Sequence, residues 1–383
     1  MDSTVCLDLG ASGTRFIRNS ENQTNEFDIN TIEAKMVEVG KHEVINMKPS
    51  SNSILDALDV SISKDGDTSE NKNYYEHVLI GDMAMRYSNS VTRPSGLTAK
   101  VSQKINYTSA IVATALCFFN EVATDCGDVD VFVALPPVEV KRMSETFKNN
   151  LVGRYSVLFN KVNKLIMFNI RNVYCFAESQ AAVVSYLFNT NGTLTEAAKK
   201  YKDGCILSID IGASTTDLVV VENLRYNERS GQTYKIGGNV CIDSITDAVQ
   251  EEYGLYVDQD TAEEILKTGH MRFGNSFKDV REMVKEAKKK YAKEVVNELQ
   301  VYFRKVGMPI QNMRAIVVSG GGALSSSYTN GNETVITTAP MSEYITEALK
   351  EVCDGIDVVT VSGNTRFANI TGVGILSKFV KSK

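Results

Sequence analysis

The chain has 383 residues, of which 43% are hydrophobic and 23% charged, and its formal net charge at pH 7 is −6. This length exceeds that of one ordinary domain, so a globular protein of two domains is expected. The acidic balance disfavours direct binding to nucleic acid, which usually requires a basic face. There is no signal peptide pattern and no apolar run long enough to span a bilayer, which predicts a cytoplasmic protein without a membrane partner.

The cysteines and histidines do not indicate a metal centre. Seven cysteines are scattered along the chain without a C-x-x-C pair, so neither a zinc site nor a disulfide framework is expected. Most are predicted to be core residues in a reducing compartment. The three histidines, His42, His77 and His270, are isolated, which favours surface or structural roles.

The first predicted element is a β-hairpin at residues 4–18. Its turn reads D-x-G-A-S-G-T, from Asp8 to Thr14. Within the region that follows, Ser61–Asn73 is predicted to be a polar surface loop because it has too little apolar material to bury itself. Tyr75–Ile80 is predicted to be a strand.

The middle of the chain alternates helix and strand patterns. Apolar residues at helical spacing predict a helix within Val101–Ala123, and an almost continuous apolar run predicts a buried strand at Val129–Leu135. Pro136-Pro137 ends that strand, because proline cannot donate to a sheet. Two further predicted strands, between residues 164 and 176, lead to Glu178, which opens a short helix.

The second half begins after a polar bridge at 192–204. Its first element is another hairpin, Ile206–Val221, whose turn reads D-x-G-A-S-T-T-D. The remaining predicted elements are a helix at 241–253, a helix at 276–305, a strand at 315–318 that runs into Ser319-Gly320-Gly321-Gly322, a helix within 337–350, a strand at 358–361 and a closing helix at 367–380. Strands alternating with helices in both halves predict an α/β fold.

The two hairpin turns match at five positions, and their chemistry indicates phosphate binding. Glycine lets the backbone approach a phosphate and offer N–H donors, and serine and threonine hydroxyls add further donors. Asp8 and Asp210 hold the same place in the two turns, and each would repel a phosphate. We therefore predict that they approach each other across a cleft and hold Mg²⁺ largely through water. One such hairpin alone would be an ordinary turn, whereas two copies favour a shared ligand.

The ordered set of the first turn, Glu178, the second turn and the Ser-Gly-Gly-Gly turn resembles the actin-like ATPase superfamily, which includes actin, the heat-shock chaperones and the sugar kinases. Within it the chain looks most like the bacterial plasmid-segregating actins of the ParM type. The details that support this are Arg15, Asp217, A-L-P-P at 134–137, Glu178 and F-A-N-I-T-G at 367–372.

The resemblance implies a two-domain actin-like fold, a duplicated ribonuclease-H-like architecture with a nucleotide cleft between the domains. Domain I is expected at 1–196 and 357–383, with a variable outer subdomain at about 28–100, and domain II at 197–356.

It also implies ATP, or alternatively GTP, as the nucleotide, bound with Mg²⁺. Asp8, Asp210 and a water-polarising Glu178 are the expected catalytic residues. The expected nucleotide contacts are Gly10, Ala11, Ser12, Gly13, Thr14, Arg15, Gly212, Ala213, Ser214, Thr215, Thr216, Gly237, Gly238, Glu263, Gly320, Gly321 and Gly322. A plain helix-surface charge is the alternative for Glu263, and a turn leading into a helix is the alternative for Gly237-Gly238. Ala213 stands where actin has an aspartate.

The implied function is a filament-forming ATPase that segregates plasmid DNA, with copies of itself and a DNA-bound adaptor of the ParR type as partners. The alternatives are a small-molecule kinase of the sugar-kinase type and a cell-shape actin of the MreB type. A kinase needs a general base at an acceptor hydroxyl, and no aspartate of the kind that a sugar site uses follows residues 134–137. A cell-shape actin usually has an apolar membrane-binding segment, which residues 1–4 do not provide. A peptide-binding chaperone would need a substrate domain after the ATPase.

Overall fold

The protein is represented by a computed structural model that describes residues 3–10, 13–19, 32–34, 38–40, 54–65, 75–85, 92, 94–95, 98–201, 203–330, 333–353, 355–361 and 365–381. The chain divides into two compact units. One is Met1–Thr193 with Asn369–Lys383, and the other is Leu194–Ala368. Among the described residues, no helix combines the length and the apolar character that a bilayer crossing needs.

The first unit is built on a mixed sheet whose central strands are buried on both faces. The continuous apolar run at Val129–Leu135 forms the buried half of a strand, and proline at the first position of the following helix fits that helix start. Its elements before residue 193 are β1 (Ser3–Leu9), β2 (Thr14–Asn19), β3 (Ile32–Ala34), β4 (Glu38–Gly40), β5 (Asp59–Asp65), β6 (Tyr75–Ile80), α1 (Asp82–Met85), α2 (Lys104–Leu116), β7 (Asp125–Leu135), α3 (Pro137–Leu151), β8 (Gly153–Phe159), β9 (Lys164–Ala177) and α4 (Glu178–Leu187).

The second unit has its own sheet and its own apolar core, to which the long helix Arg281–Val306 contributes. Its elements are α5 (Glu196–Tyr201), β10 (Cys205–Ile211), β11 (Thr216–Glu222), β12 (Arg225–Tyr226), β13 (Gln232–Tyr234), α6 (Asn239–Tyr253), α7 (Gln259–Thr268), β14 (His270–Phe273), β15 (Ser276–Asp279), α8 (Arg281–Val306), β16 (Met313–Ser319), β17 (Ser326–Asn330), β18 (Glu333–Thr338), α9 (Met341–Leu349) and β19 (Asp357–Thr360).

The two main sheets repeat one arrangement of strands. Among the described residues their orders are β3-β2-β1-β7-β9-β8-β5-β6-β4 and β12-β11-β10-β16-β19. In the first sheet β1 lies between antiparallel β2 and parallel β7, and β9 is parallel to β7. In the second sheet β10 lies between antiparallel β11 and parallel β16, and β19 is parallel to β16. The predicted α/β class is confirmed, and the strand order shows the expected duplication.

Helix α8 is joined to the rest of the second unit by a buried lysine. Lys288 Nζ donates to Leu324 O at 3.1 Å, to Thr338 Oγ1 at 2.9 Å and to Ala339 O at 3.1 Å. An ammonium group has three donors, so these three uncharged oxygens use all of them. Burial without a carboxylate lowers the pKa of Lys288 from its ordinary 10.5 to about 8.

The chain returns to the first unit through its last helix, α10 (Ala368–Lys381). Gly372, the last residue of the F-A-N-I-T-G motif, lies directly against α4. A Cβ placed on Gly372 would lie 1.8 Å from Ala181 O, so only glycine permits this approach of the two helices. At the other end of α10, Lys381 Nζ lies 3.3 Å from the buried carboxylate of Asp130.

At the second crossing, the expected domain boundary before residue 357 does not coincide with the boundary between the two compact units, which follows Ala368. Residues 357–368 lie in the second unit because β19 is hydrogen-bonded to β16. At the first crossing, the units divide after Thr193, before α5, which occupies part of the predicted polar bridge.

Two local expectations are wrong. Residues 61–65 are not a loop but part of β5, because β6 and β8 flank that strand and hydrogen-bond to it on both sides. Residues 276–279 are not helical: Gly274, with φ of +59°, turns the chain between β14 and β15, and Asp279 Oδ1 accepts from the N–H of Arg281 where α8 begins. The predicted helix within 337–350 is confirmed: residues 337 and 338 end β18, and the helix spans Met341–Leu349.

Candidate functional site

The first turn connects β1 to β2 and contains a buried ion pair. Asp8 and Arg15 are directly opposite each other in the two strands, and Arg15 Nη1 lies 2.9 Å from Asp8 Oδ2. Both side chains are buried. Arg15, which is expected near the phosphates, is therefore also the cation that offsets the charge of Asp8.

Gly10 permits the tight shape of this turn. A Cβ on Gly10 would lie 2.7 Å from Gly13 O, and the Gly13 N–H donates to Gly10 O at 3.3 Å. Thr14, which begins β2, is buried. Ala11 and Ser12, predicted as phosphate contacts, lie outside the described residues.

The second turn connects β10 to β11 in the same register. Asp210 lies opposite Asp217, just as Asp8 lies opposite Arg15 in the first turn. Here the aspartate receives its hydrogen bond from the neighbouring parallel strand, since Ser319 Oγ donates to Asp210 Oδ1 at 3.0 Å. The second turn therefore has two carboxylates at the positions where the first has a carboxylate and a guanidinium.

A buried tyrosine supports the second turn from α8. Tyr291 OH lies 2.7 Å from Thr216 Oγ1, which donates to Ile236 O, also at 2.7 Å. Burial raises the pKa of Tyr291, so its phenol stays neutral. Within the turn, the Gly212 N–H donates to Thr215 O at 2.9 Å. These bonds fix the backbone on both sides of the turn.

Gly237-Gly238 is bonded directly to the second turn. The Gly238 N–H donates to Gly212 O at 2.9 Å, and the Asn239 N–H donates to Ala213 O at 2.8 Å. A Cβ on Gly237 would lie 2.5 Å from Ala213 O. The diglycine therefore does more than lead into α6: it packs against the second turn.

The Ser-Gly-Gly-Gly turn at residues 319–322 packs against the end of β10. Gly320 has φ of +88°, and a Cβ on it would lie 2.3 Å from Ile211 O and 2.7 Å from Asp210 Oδ1. A Cβ on Gly322 would lie 2.3 Å from Ile211 Cγ2, and Gly321 lies exposed between the two. Three glycine-containing turns of the second unit thus converge around the end of β10, where backbone N–H groups can line a ligand surface.

Glu178 is the first residue of α4 in the first unit. Its carboxylate is buried and forms an ion pair with the ammonium group of Lys100. Sequence reasoning missed Lys100, because a single lysine in a polar stretch carries no local signal of a partner 78 residues away.

Glu263 lies on α7 and shows the features of a helix-surface residue. Its side chain is 39% exposed, and it pairs with Lys267 one turn further along, at 2.7 Å. Its ion-pair partner is thus a neighbour on the helix rather than a residue of the glycine turns.

Among the described residues there is no group of three or more His, Cys, Asp or Glu side chains that could hold a metal ion. Each turn offers one equivalent carboxylate, Asp8 or Asp210. A single carboxylate of this kind fits Mg²⁺, which usually keeps several waters and shares its coordination with substrate phosphates.

The chain is similar to known actin homologues in a family match and in fold. Residues 208–327 match the family described as "Archaeal actin homologue MreB-like, C-terminal", a range that includes the second turn, the diglycine and the triglycine. No curated protein sequence matches the chain. Among solved structures, the actin-like protein Alp7A superposes with a TM-score of 0.71 at 16% identity, covering 100% of this chain and 98% of that one.

Two ParM structures superpose over a similar extent. A 15-stranded ParM filament from Clostridium botulinum gives a TM-score of 0.68 at 16% identity, covering 99% of each chain. Bacillus thuringiensis ParM with ATP gives 0.65 at 16% identity, covering 100% of each chain. The chain has the actin-like fold. The resemblance to the actin-like ATPases, and among them to ParM, is confirmed for the fold over almost the whole chain.

Proposed function

We propose that this actin-like protein is an ATPase that polymerises with bound Mg²⁺-ATP and disassembles after hydrolysis. The observation that carries the proposal is the placement of the twin turns: Asp8 and Asp210 occupy the same register position at the ends of equivalent strands in two duplicated sheets. A single ligand with several phosphates accounts for both turns. The ATP-bound and filamentous ParM structures support ATP as the ligand and a filament as the product.

The proposed division of labour follows the chemistry of each group. The turn backbones and the hydroxyls of Ser214 and Thr215 bind phosphate oxygens, and the converging glycine turns of the second unit accept the nucleoside. Mg²⁺, when bound, offsets phosphate charge, and Asp8 and Asp210 hold it largely through its waters.

Glu178 is proposed to accept a hydrogen bond from a water and orient it for in-line attack on the γ-phosphate. Its place at the start of α4, directly after β9, gives the carboxylate a fixed origin. Phosphoryl transfer depends mainly on positioning and charge stabilisation, so such a residue acts through geometry.

The proposed cellular role is segregation of plasmid DNA in the bacterial cytoplasm, with a DNA-bound adaptor of the ParR type linking filament to DNA. The net charge of −6 fits an indirect link to DNA. In a plasmid-loss assay, replacing the wild-type coding sequence by Asp210→Ala should raise the loss rate. An unchanged loss rate would contradict the segregation role and would leave the ATPase proposal unaffected.

Light scattering, sedimentation and phosphate release, measured together on purified protein, test the ATPase proposal. We expect Mg²⁺-ATP to produce sedimentable polymer and then free phosphate, and GTP serves as the comparison nucleotide. Asp210→Ala should lose both signals, and Asp247→Ala, an exposed aspartate of the same unit, should keep them. Absence of polymer with either nucleotide would contradict the proposal, and phosphate transfer to a small acceptor without polymer would favour the kinase alternative.

Glu178→Ala tests the catalytic assignment separately. The variant should bind ATP and assemble, but phosphate release should fall by ~10²-fold or more, the scale of acid–base and positioning groups. Its filaments should then persist. A glutamate that only favours the helix dipole contributes ~0.3–1 kcal/mol of stability and leaves turnover unchanged. Wild-type phosphate release in this variant would return Glu178 to that structural role.

A further inference from the structure

The backbone of the turn that carries Lys100 is held by side-chain hydrogen bonds. Lys100–Ser102 forms a short 3₁₀ turn ahead of α2. The carboxylate of Glu139 accepts from two consecutive N–H groups of this turn, that of Lys100 at 2.9 Å and that of Val101 at 3.0 Å. Glu139 is itself buried near the start of α3. Charge-assisted hydrogen bonds of this kind are stronger than neutral ones, so they hold the turn firmly.

The carbonyl groups of the same two residues are also bonded to side chains. Asn106 Nδ2 donates to Lys100 O at 3.0 Å, and Tyr107 OH donates to Val101 O at 2.8 Å. Both donors are on α2. The position from which the Lys100 side chain departs is therefore set by α2 and α3 together.

The Lys100 side chain ends on Glu178. The lysine and glutamate side chains are only 13% and 8% exposed, and the ammonium group contacts Glu178 Oε1. A buried ion pair contributes little net stability, because desolvation of both charges offsets their attraction. Stability is thus a weak reason for a pair that the surrounding structure fixes so firmly, and orientation of Glu178 is a better one.

We propose that Lys100 is a positioning residue for hydrolysis, which holds the Glu178 carboxylate in the orientation that a water attacking the γ-phosphate requires. Glu139 acts one step further back by fixing the turn that carries Lys100. This inference rests on the proposed function, in which Glu178 orients that water. It assigns to residues 100 and 139 a part in catalysis without contact with the nucleotide.

Lys100→Met tests the proposal through turnover and nucleotide affinity in parallel. We expect kcat for phosphate release to fall ~10- to 100-fold, the range for loss of an orienting partner or a misplacement of about 1 Å. The Kd for a non-hydrolysable ATP analogue should stay within about twofold. Lys100→Arg, which keeps the charge, should recover most of kcat. Lys104→Met is the matched control, since Lys104 pairs with Glu76 nearby and is 58% exposed.

A double-mutant cycle shows whether Lys100 acts through Glu178. In the Glu178→Ala background, Lys100→Met should lower kcat no further, because the group it positions is gone. Glu139→Gln, which keeps the fold of α3, should also lower kcat, but by a smaller factor than Lys100→Met does. Urea unfolding of every variant shows whether a loss of activity comes from a loss of folded protein.

The outcomes separate this inference from the function on which it rests. Wild-type kcat in Lys100→Met, or an equal loss of kcat with and without Glu178, would overturn the positioning role while leaving the ATPase intact. Unchanged hydrolysis in Glu178→Ala would instead refute the catalytic assignment itself. Should Lys100→Met fail to fold, Glu139→Gln carries the comparison, and normal kcat in Glu139→Gln beside a strong loss in Glu178→Ala counts against the proposal.

Discussion

Ser319 Oγ donates a 3.0 Å hydrogen bond to Asp210 Oδ1, and both side chains are buried. The two residues lie side by side on parallel strands β16 and β10, so the serine reaches the aspartate with little freedom of its own. This bond sets the direction of the carboxylate that we propose for Mg²⁺-nucleotide binding.

Ser319→Ala should therefore weaken Mg²⁺-nucleotide binding, by roughly fivefold to tenfold if it loses one hydrogen bond of ~1–1.5 kcal/mol. Isothermal titration with Mg²⁺-ATP measures this. Ser208→Ala is the matched control, because Ser208 is a buried serine on β10 itself whose hydroxyl has no hydrogen-bond partner in the described part of the chain. Equal affinities in the two variants would show that the Ser319 bond does not orient Asp210 for binding.

Gly320→Ala should be far more damaging than an alanine at another glycine with positive φ. Its Cβ would lie 2.3 Å from Ile211 O, which adds a backbone clash to the conformational strain of φ +88°. Gly254, at the end of α6, has φ of +65°, and a Cβ placed on it would meet no atom within 4 Å, so Gly254→Ala suffers the strain alone. We expect a loss of unfolding free energy of ~1–2 kcal/mol for Gly254→Ala and a clearly larger loss for Gly320→Ala, measured by urea unfolding.

Arg15→Met should leave Asp8 buried without its cation. Removing one partner of a buried pair typically reduces unfolding free energy by ~3–5 kcal/mol. Arg18→Met, on the same strand, removes an ion pair with half-exposed Glu121 and should reduce it less, since such pairs contribute ~0–1 kcal/mol. Comparable losses in urea unfolding for the two variants would contradict the assignment of Asp8–Arg15 as the stronger pair.

Lys288 should make stability depend on alkaline pH. Its pKa is about 8 in the folded protein and 10.5 when unperturbed, so between these values the unfolded chain binds more protons than the folded one. Stability from this residue therefore rises with pH between about 8 and 10.5, as the buried charge is relieved, and is flat below that window. The neighbouring thiol of Cys241, with its pKa raised by burial to about 12, stays protonated throughout.

Urea unfolding of wild type and Lys288→Met at pH 7, 8, 9 and 10 measures this contribution. The stability of the wild type relative to the variant should increase from pH 8 to pH 10. Lys289→Met, which removes a partly exposed lysine paired with Glu286, should track the wild type. Parallel pH profiles for wild type and Lys288→Met would show that Lys288 does not titrate in this range.

The elements predictable from the sequence are those with a local signal. The buried strands β7 and β16 follow from continuous apolar runs, and the twin turns follow from their repeated residues. Strand β5 was not predictable in the same way, because Ser61–Asp65 is polar and is held as a strand by neighbours on both sides.

The contacts around the candidate site were less predictable than its motifs. The partners of Asp210 and Glu178 are Ser319 and Lys100, which lie 109 and 78 residues away in sequence. Only the folded sheet and the turn before α2 bring these side chains together. The local fold of a repeated motif can thus be predicted from the sequence. The groups that orient its side chains cannot, because they come together only through tertiary contacts.

The return of α10 to the first unit has a consequence for synthesis on the ribosome. The second unit, Leu194–Ala368, is contiguous, so all of it has left the exit tunnel before the last residues of the chain do. The first unit is begun earlier, but α4 lacks the helix that packs against Ala181 until residues 369–381 emerge. A nascent chain whose residues up to Ala368 have emerged thus carries a finished second unit and an unfinished first one, and the start of α4, where Glu178 stands, is among the last places to reach native packing.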